Sequence, residues 1–269
     1  MGKEMLEKIF IGTSGWSYED WVGTFYPPSL PKNKFLLYYS QYFNTVEINF
    51  SYYRIPNRYT LISILRNVPR QFLFTIKLYS SFTHQKDFDN PYSEVPQRDK
   101  DEFLNAIEVL KDSNSLDTVV AQFPQSFRFS PKNLEYVAKL GREFREYNFA
   151  VEFRNRDWYN NVVYDILKRE NFTFISVDEP EIKSLPPRDL VITNRIGYIR
   201  LHSRDASKWY EGEKLRYDYY YSDDELTEWI NKIKENQNFD KLYVFFNNCH
   251  NGQAVKNALR FKELLENYL

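Results

Sequence analysis

Glu47, Lys77, Glu152, Asp178 and His202 each sit within or at the end of a short apolar run, and their types suit proton transfer. Crowded carboxylates push one pKa upward, which suits a general acid or base. Lys77, at a strand end, adds an amine that could serve as a Schiff-base nucleophile. His202 is a proton shuttle or, equally, a hydrogen-bonded structural histidine. Side chains suited to binding lie around them. Arg154, Arg200 and Arg204, together with Lys77, suit a phosphate or carboxylate. Asn49, Gln122, Asn247 and Asn248 suit orientation of a ligand through hydrogen bonds. Trp16, Tyr52, Tyr53 and Trp158 directly follow such runs and suit stacking on a sugar or base, with rim packing as the plain alternative. His84 lies in a long segment, residues 79–98, that reads as a lid or as a surface loop.

No cofactor is predicted. Carboxylates and His202 are also the types a divalent metal takes, and His202, Asp178, Glu152 and Glu47 form one such set. Against it stand only 3 histidines in the chain and the absence of H-x-H or H-E-x-x-H spacing. The phosphate-cradling patterns G-x-x-x-x-G-K-S/T and G-x-G-x-x-G are absent as well. Cys249 is the chain's 1 cysteine, so no intrachain disulfide forms. It reads as structural, because His250 beside it faces elsewhere and activates nothing.

Eight runs rich in β-branched and aromatic residues must position these groups: Ile9–Ser14, Thr45–Phe50, Phe72–Leu78, Thr118–Phe123, Phe149–Arg154, Thr173–Asp178, Tyr198–Ser203 and Leu242–Asn248. Helical patterns lie between most of them, at residues 57–68, 103–111, 131–147, 161–170, 222–236 and 254–267. Ser130 before Pro131, and Ser222 three residues before Glu225, read as helix starts. Residues 180–194 read as loop throughout. Strands alternating with helices imply parallel βαβ units, and eight of them imply a closed (β/α)8 TIM barrel, residues 1–269 as a single domain. An open doubly wound sheet is the alternative.

Side chains alternate between the two faces of a strand. One face collects Val46, Ile48, Phe50, Phe74, Ile76, Val119, Ala121, Phe123, Val151, Phe153, Ile175, Val177, Ile199 and Leu201, an apolar layer for the helices. The other collects Thr45, Glu47, Asn49, Thr75, Lys77, Gln122, Ala150, Glu152, Arg154, Ser176, Asp178, Arg200 and His202. In a barrel this second face lines the lumen, and its charges gather toward the C-terminal mouth, where barrel active sites sit. The structural alternative is a buried ion-pair network that neutralises itself.

Composition narrows the class. The chain has 269 residues, 36 Lys plus Arg against 37 Asp plus Glu, and 42% hydrophobic residues. That suits a soluble domain with a large core and gives no global attraction to nucleic acid or anionic membrane. Met1 to Lys8 is charged and lacks an apolar run, so no secretory signal is predicted. No apolar stretch is long enough to span a bilayer, and the expected compartment is the cytoplasm.

The blocks IFIGTSGWSYEDWVGTFYP, VEINFSYYRIP, FTIK followed by TH, AQFP, AVEFRNRDW, VDEP, YIRLHSR and YVFFNNCHNGQAVKNA fall in order across nearly the whole chain. Together they resemble the YecE-like family, known as domain of unknown function 72. The resemblance implies a TIM barrel similar to the xylose-isomerase-like group, which includes metal-cluster apurinic endonucleases. Nucleic-acid binding or phosphodiester cleavage is therefore implied as one activity, although this chain lacks the many histidines those nucleases use. Two positions depart from the family pattern. Ser203 stands where the family usually has Gly, and Tyr52-Tyr53 where it usually has Phe-Tyr.

The leading expectation is an enzyme acting on a small phosphorylated or sugar-containing substrate by acid–base chemistry. Glu47, Lys77, Glu152, Asp178 and His202 are its candidate catalytic groups. The alternatives are nucleic-acid binding or cleavage, and a ligand-binding protein without turnover. A small-molecule partner is expected and a membrane partner is not. The sequence specifies no oligomeric state.

Overall fold

The computed structural model describes residues 2–84 and 94–268. Eight strands form one sheet: β1 Ile9–Thr13, β2 Thr45–Ile48, β3 Leu73–Lys77, β4 Leu116–Phe123, β5 Asn148–Phe153, β6 Thr173–Asp178, β7 Ile196–Leu201 and β8 Lys241–Phe246. All neighbours pair in parallel. β1 pairs with β8 from Ile9–Leu242 to Thr13–Phe246, which an open doubly wound sheet would not allow. β1 and β2 meet at one parallel bridge, Ser14 to Glu47, so the barrel is nearly closed.

The helices are α1 Gly2–Leu6, α2 Phe35–Tyr39, α3 Arg58–Leu65, α4 Gln97–Asp112, α5 Pro131–Glu143, α6 Asn161–Glu170, α7 Glu213–Arg216, α8 Asp223–Glu235 and α9 Gln253–Tyr268. Local chemistry fixes several starts. Ser130 caps α5 by accepting the Asn133 N–H at 3.1 Å, with Pro131 in the first turn. Ser222 and Glu225 form a reciprocal capping box at α8. Helix α4 begins six residues before the expected start at Phe103, because its first turns are polar and carry no apolar periodicity. Residues 180–194 hold no helix or strand, as expected. The connection from β1 to β2 has short turns and the five-residue α2 instead of a full-length helix. The centre of the expected lid segment, residues 85–93, lies outside the described residues.

Two apolar layers hold the barrel. Outside it, Val46, Ile48, Phe74, Val119, Phe123, Val151, Phe153, Phe174, Ile199 and Val244 pack with helix residues such as Leu61, Val137, Trp229 and Phe261. A second cluster joins Val120, Ala150, Ile175, Val177, Tyr198, Tyr243 and Phe245, which fills the lumen. Ile175 and Val177 thus face inward, and the inferred parity of β6 is inverted. Their place beside Tyr198 and Phe245 is an apolar floor that a polar residue would leave unsatisfied. Ser176 and Asp178 accordingly point outward, and Ser176 Oγ accepts the Val191 N–H at 2.9 Å.

Candidate functional site

The C-terminal mouth opens into a cavity of about 870 Å³, within the usual range for small-molecule sites. Trp16, Asn49, Tyr53, Lys77, His84, Gln122, Arg154, Arg200 and Asn247 line it. Glu47, Glu152 and His202 lie just beneath, each 0% exposed. Tyr52, expected as a stacking face, lines it as well, whereas sequence reasoning missed Tyr18, Trp209, Lys214, Arg216 and Tyr217. Four of these lie in the segment between β7 and α8, which carries no strand periodicity to reveal its direction.

Four predicted residues lie elsewhere. Asp178 faces α8 and the segment before it. It accepts from Trp229 Nε1 at 2.6 Å, from Tyr221 Oη at 3.2 Å, and from Arg204 through Nε at 3.0 Å and Nη2 at 2.7 Å. Arg204 is therefore committed to Asp178 and to Glu228, 2.9 Å away. Trp158 is 0% exposed and stacks on Phe153 with ring centroids 4.0 Å apart, so it is core and no ligand platform. Asn248 ties Tyr219 O at 2.8 Å to Asn257 Oδ1 at 2.9 Å, a structural clamp on α9. Asp178 was misplaced by the parity of β6, Arg204 by extending β7 past its end at Leu201, and Trp158 by treating a residue after a strand as rim.

The same correction brings in Glu179. Continuing inward from Ile175 and Val177, it is 0% exposed, and Arg154 Nη1 lies 2.9 Å from its Oε1. The floor is a chain of alternating charge. Glu47 accepts from Arg200 Nη2 at 2.7 Å, Tyr198 Oη at 2.7 Å and Ser14 Oγ at 2.9 Å. Arg200 Nη1 donates to Glu152 Oε2 at 2.5 Å, and Arg154 Nε donates to Glu152 Oε1. Burial alone would raise the Glu152 carboxyl, but Arg154, Arg200 and His202 hold it well below the usual range. Burial, and then Arg154, pushes the His202 imidazole well below its ordinary value. Asn247 Nδ2 lies 2.9 Å from His202 Nδ1. With that amide donating, the ring proton sits on Nε2, 3.6 Å from Glu152 Oε1. Glu47, Glu152 and His202 are thus locked as supports beneath the cavity. The self-neutralising network considered above describes them, but it leaves out Lys77.

Lys77 occupies the end of β3 at the cavity floor. Its Nζ donates to Gln122 Oε1 at 2.6 Å and sits 4.2 Å from the centre of the Tyr52 ring. Burial, and then the Arg200 and Arg154 charges, lower its amine to about 7. His84 packs edge-on to Tyr52, with centroids 5.0 Å apart. Burial and the neighbouring Lys77 depress it to about 4. Cys249 also lines the cavity, but burial pushes its thiol up to about 12, which keeps it inert at neutral pH.

Glu152, Glu179 and His202 offer ligand atoms within 4.8 Å of one another. The Arg154 guanidinium already contacts both carboxylates. A divalent cation there would face a fixed positive charge, so these residues do not fit a metal without displacing Arg154.

Glu179 gives a test of this floor. Burial, aided by Glu152, outweighs Arg154 and raises its carboxyl to about 8, against about 4.3 unfolded. The folded protein then holds an extra proton. Its stability contribution is full below the unfolded value and is lost as pH rises through the folded one. Urea midpoints measured from pH 5 to pH 8 should fall by about 1 kcal/mol per pH unit more steeply in wild type than in Glu179→Gln. Lys77 titrates in both proteins, so its effect cancels. Parallel curves would refute the buried proton.

A (β/α)8 barrel with a charged, aromatic-rimmed cavity at its C-terminal mouth is the class this fold and site define. The family profile described as Protein of unknown function DUF72 matches residues 10–268, and the chain belongs to that family. UPF0759 protein YunF of Bacillus subtilis (strain 168) is 30% identical over 276 residues, covering 96% of this chain and 95% of that protein. The crystal structure of a DUF72 family protein from Thermotoga maritima MSB8 superposes with a TM-score of 0.88 at 39% identity, covering 96% of this chain and 99% of the other. One from Enterococcus faecalis V583 gives 0.84 at 27% identity, over 96% and 95%. Among the described residues no helix is long and apolar enough to cross a membrane.

Proposed function

We propose that this protein is an enzyme that binds a small phosphorylated or sugar-containing substrate at the mouth and transfers a proton through Lys77. The observation that carries this reading is the Lys77 amine, set at the cavity floor against an amide oxygen and an aromatic face and lowered to about 7. A base that titrates near working pH combines the right protonation state with driving force. Glu47 and Glu152 are saturated by Arg200 and Arg154, which leaves Lys77 as the base. Lys214 and Arg216 line the cavity and form no ion pair among the described residues. They supply charge for an anionic group. Trp16, Tyr52 and Tyr53 supply faces for a sugar ring.

Testing begins with a thermal-shift screen of phosphorylated sugars, followed by turnover assays on the compounds that bind. Lys77→Met should lower kcat by about 10²-fold or more while the compound still binds. In wild type, kcat/KM should rise with pH through about 7, as the amine loses its proton. Undiminished turnover in Lys77→Met would remove Lys77 from the chemistry.

A further inference from the structure

We propose that Lys77 is a carbonyl-capturing nucleophile, and that the substrate class of this mouth is a phosphorylated α-hydroxy aldehyde or ketone held as an imine on Nζ. This deepens the reading of the mouth as a phosphorylated-substrate site and rests on it.

The first support is what surrounds the amine. Among the described residues no carboxylate lies within ion-pair distance of Lys77 Nζ, because Glu47, Glu152 and Glu179 are taken by Arg200 and Arg154. A half-buried ammonium with arginines nearby and no counter-ion is costly, so the neutral amine is favoured. A neutral amine has two N–H groups and one lone pair. Gln122 Oε1 accepts one N–H, and the Tyr52 ring offers its negative face to the other. The lone pair is what remains. A lysine desolvated beside other cations is the environment that activates amines toward carbonyls.

The second support is independent of the amine. Two cavity-lining residues carry buried polar atoms without a hydrogen-bond partner, Arg200 Nε and Asn49 Oδ1. Such orphans are rare and call for a ligand or water. One is a donor and the other an acceptor. A carbonyl oxygen, or the hydroxyl it becomes on attack, accepts from Arg200 Nε. A neighbouring hydroxyl donates to Asn49 Oδ1. Adjacent carbonyl and hydroxyl groups define the α-hydroxy carbonyl class, and a terminal phosphate reaches Lys214 and Arg216 at the rim.

The step balances without a further reactant. The Nζ lone pair forms a bond to the carbonyl carbon, and the carbonyl π pair moves to oxygen, which takes the proton that nitrogen loses. That hydroxyl then takes a proton from solvent and leaves as water, as the nitrogen pair closes C=N, and the remaining N–H proton returns to solvent. Amine plus carbonyl gives imine plus water.

The experiment treats the full chain with glyceraldehyde 3-phosphate and sodium borohydride, then reads intact mass and peptide maps. The expected result is one adduct per chain, heavier by the triose phosphate less one oxygen atom and mapped to Lys77. Excess glycerol 3-phosphate, which has no carbonyl, should suppress it at least tenfold. It should be absent from Lys77→Arg and Lys77→Met, two variants whose own melting curves report folding. Thermal shift with glycerol 3-phosphate runs in parallel and reads phosphorylated-ligand binding alone. A shift by glycerol 3-phosphate with labelling that is scattered and unchanged in Lys77→Arg would overturn the imine and leave the proposed function standing. No shift and no Lys77 adduct would overturn both.

Discussion

Replacing Arg200 with Met should be among the most damaging single changes in this protein, costing about 3–5 kcal/mol of stability. Arg200 is 1% exposed and bridges Glu47 to Glu152. Met fills most of its volume but leaves Glu47 without its arginine and Glu152 with Arg154 alone. Removing one partner of a buried network costs far more than the network contributes over an apolar substitute, because desolvation has already been spent on the groups left behind. A melting temperature lower by on the order of 10 °C is the expected readout. The loss should shrink in acid. Glu152 is held well below the ordinary carboxylate value in wild type, despite burial that would raise it, by Arg154 and Arg200. Its stabilisation is therefore present above about 4.3 and is lost as pH falls below that. In Arg200→Met the Glu152 carboxyl loses one of the two arginines that hold it down, takes up a proton more readily and becomes cheaper to bury. Urea titrations of both proteins at pH 7 and pH 4.5 measure this. A penalty below 1 kcal/mol at pH 7 would mean that the floor tolerates unpaired carboxylates, and the charge chain would lose its structural role.

Asp178→Ala should destabilise by a similar amount, about 3–5 kcal/mol, yet leave the mouth's ligand affinity unchanged. Asp178 is 0% exposed and joins Arg204, Tyr221 and Trp229. Alanine strands an indole N–H and a phenol O–H, each costing about 1–3 kcal/mol when buried and unpaired. Arg204 keeps Glu228 as a partial partner, which limits the damage. Because Asp178 lies on the helix side of the sheet and lines no part of the cavity, an intact floor should bind as before at temperatures where the variant is folded. Melting curves with and without a ligand found by the screen separate the two effects. A tenfold loss of affinity in the folded variant would return Asp178 to the site. The contrast with Lys77→Met, where chemistry should fail and the fold persist, separates a structural acid from a reacting amine.

Alternating apolar runs and helical periods specified the barrel, because each element repeats its chemistry at its own geometric period. Five of the six strands read by parity, β2 to β5 and β7, also carried a correct inside and outside. β6 did not. Ile175, Val177, Ser176 and Asp178 show the same alternation whichever face is inward, so the pattern fixes that the faces differ and not which is which. The neighbours decide: Tyr198, Tyr243 and Phe245 fill the lumen at that height and require apolar partners. That packing turned Asp178 outward and brought Glu179 in. The residue types for proton transfer and anion binding were legible for the same reason, since a charge inside a strand is conspicuous. Which of them is spent on another was not legible, because ion pairing joins residues far apart in sequence, as Arg200 with Glu47 and Arg154 with Glu179. Sequence alone placed a ring of polar side chains at the mouth. Only the closed barrel paired Glu47 and Glu152 with arginines and left Lys77 facing the cavity, since charge compensation is set by distance in space and not by distance along the chain.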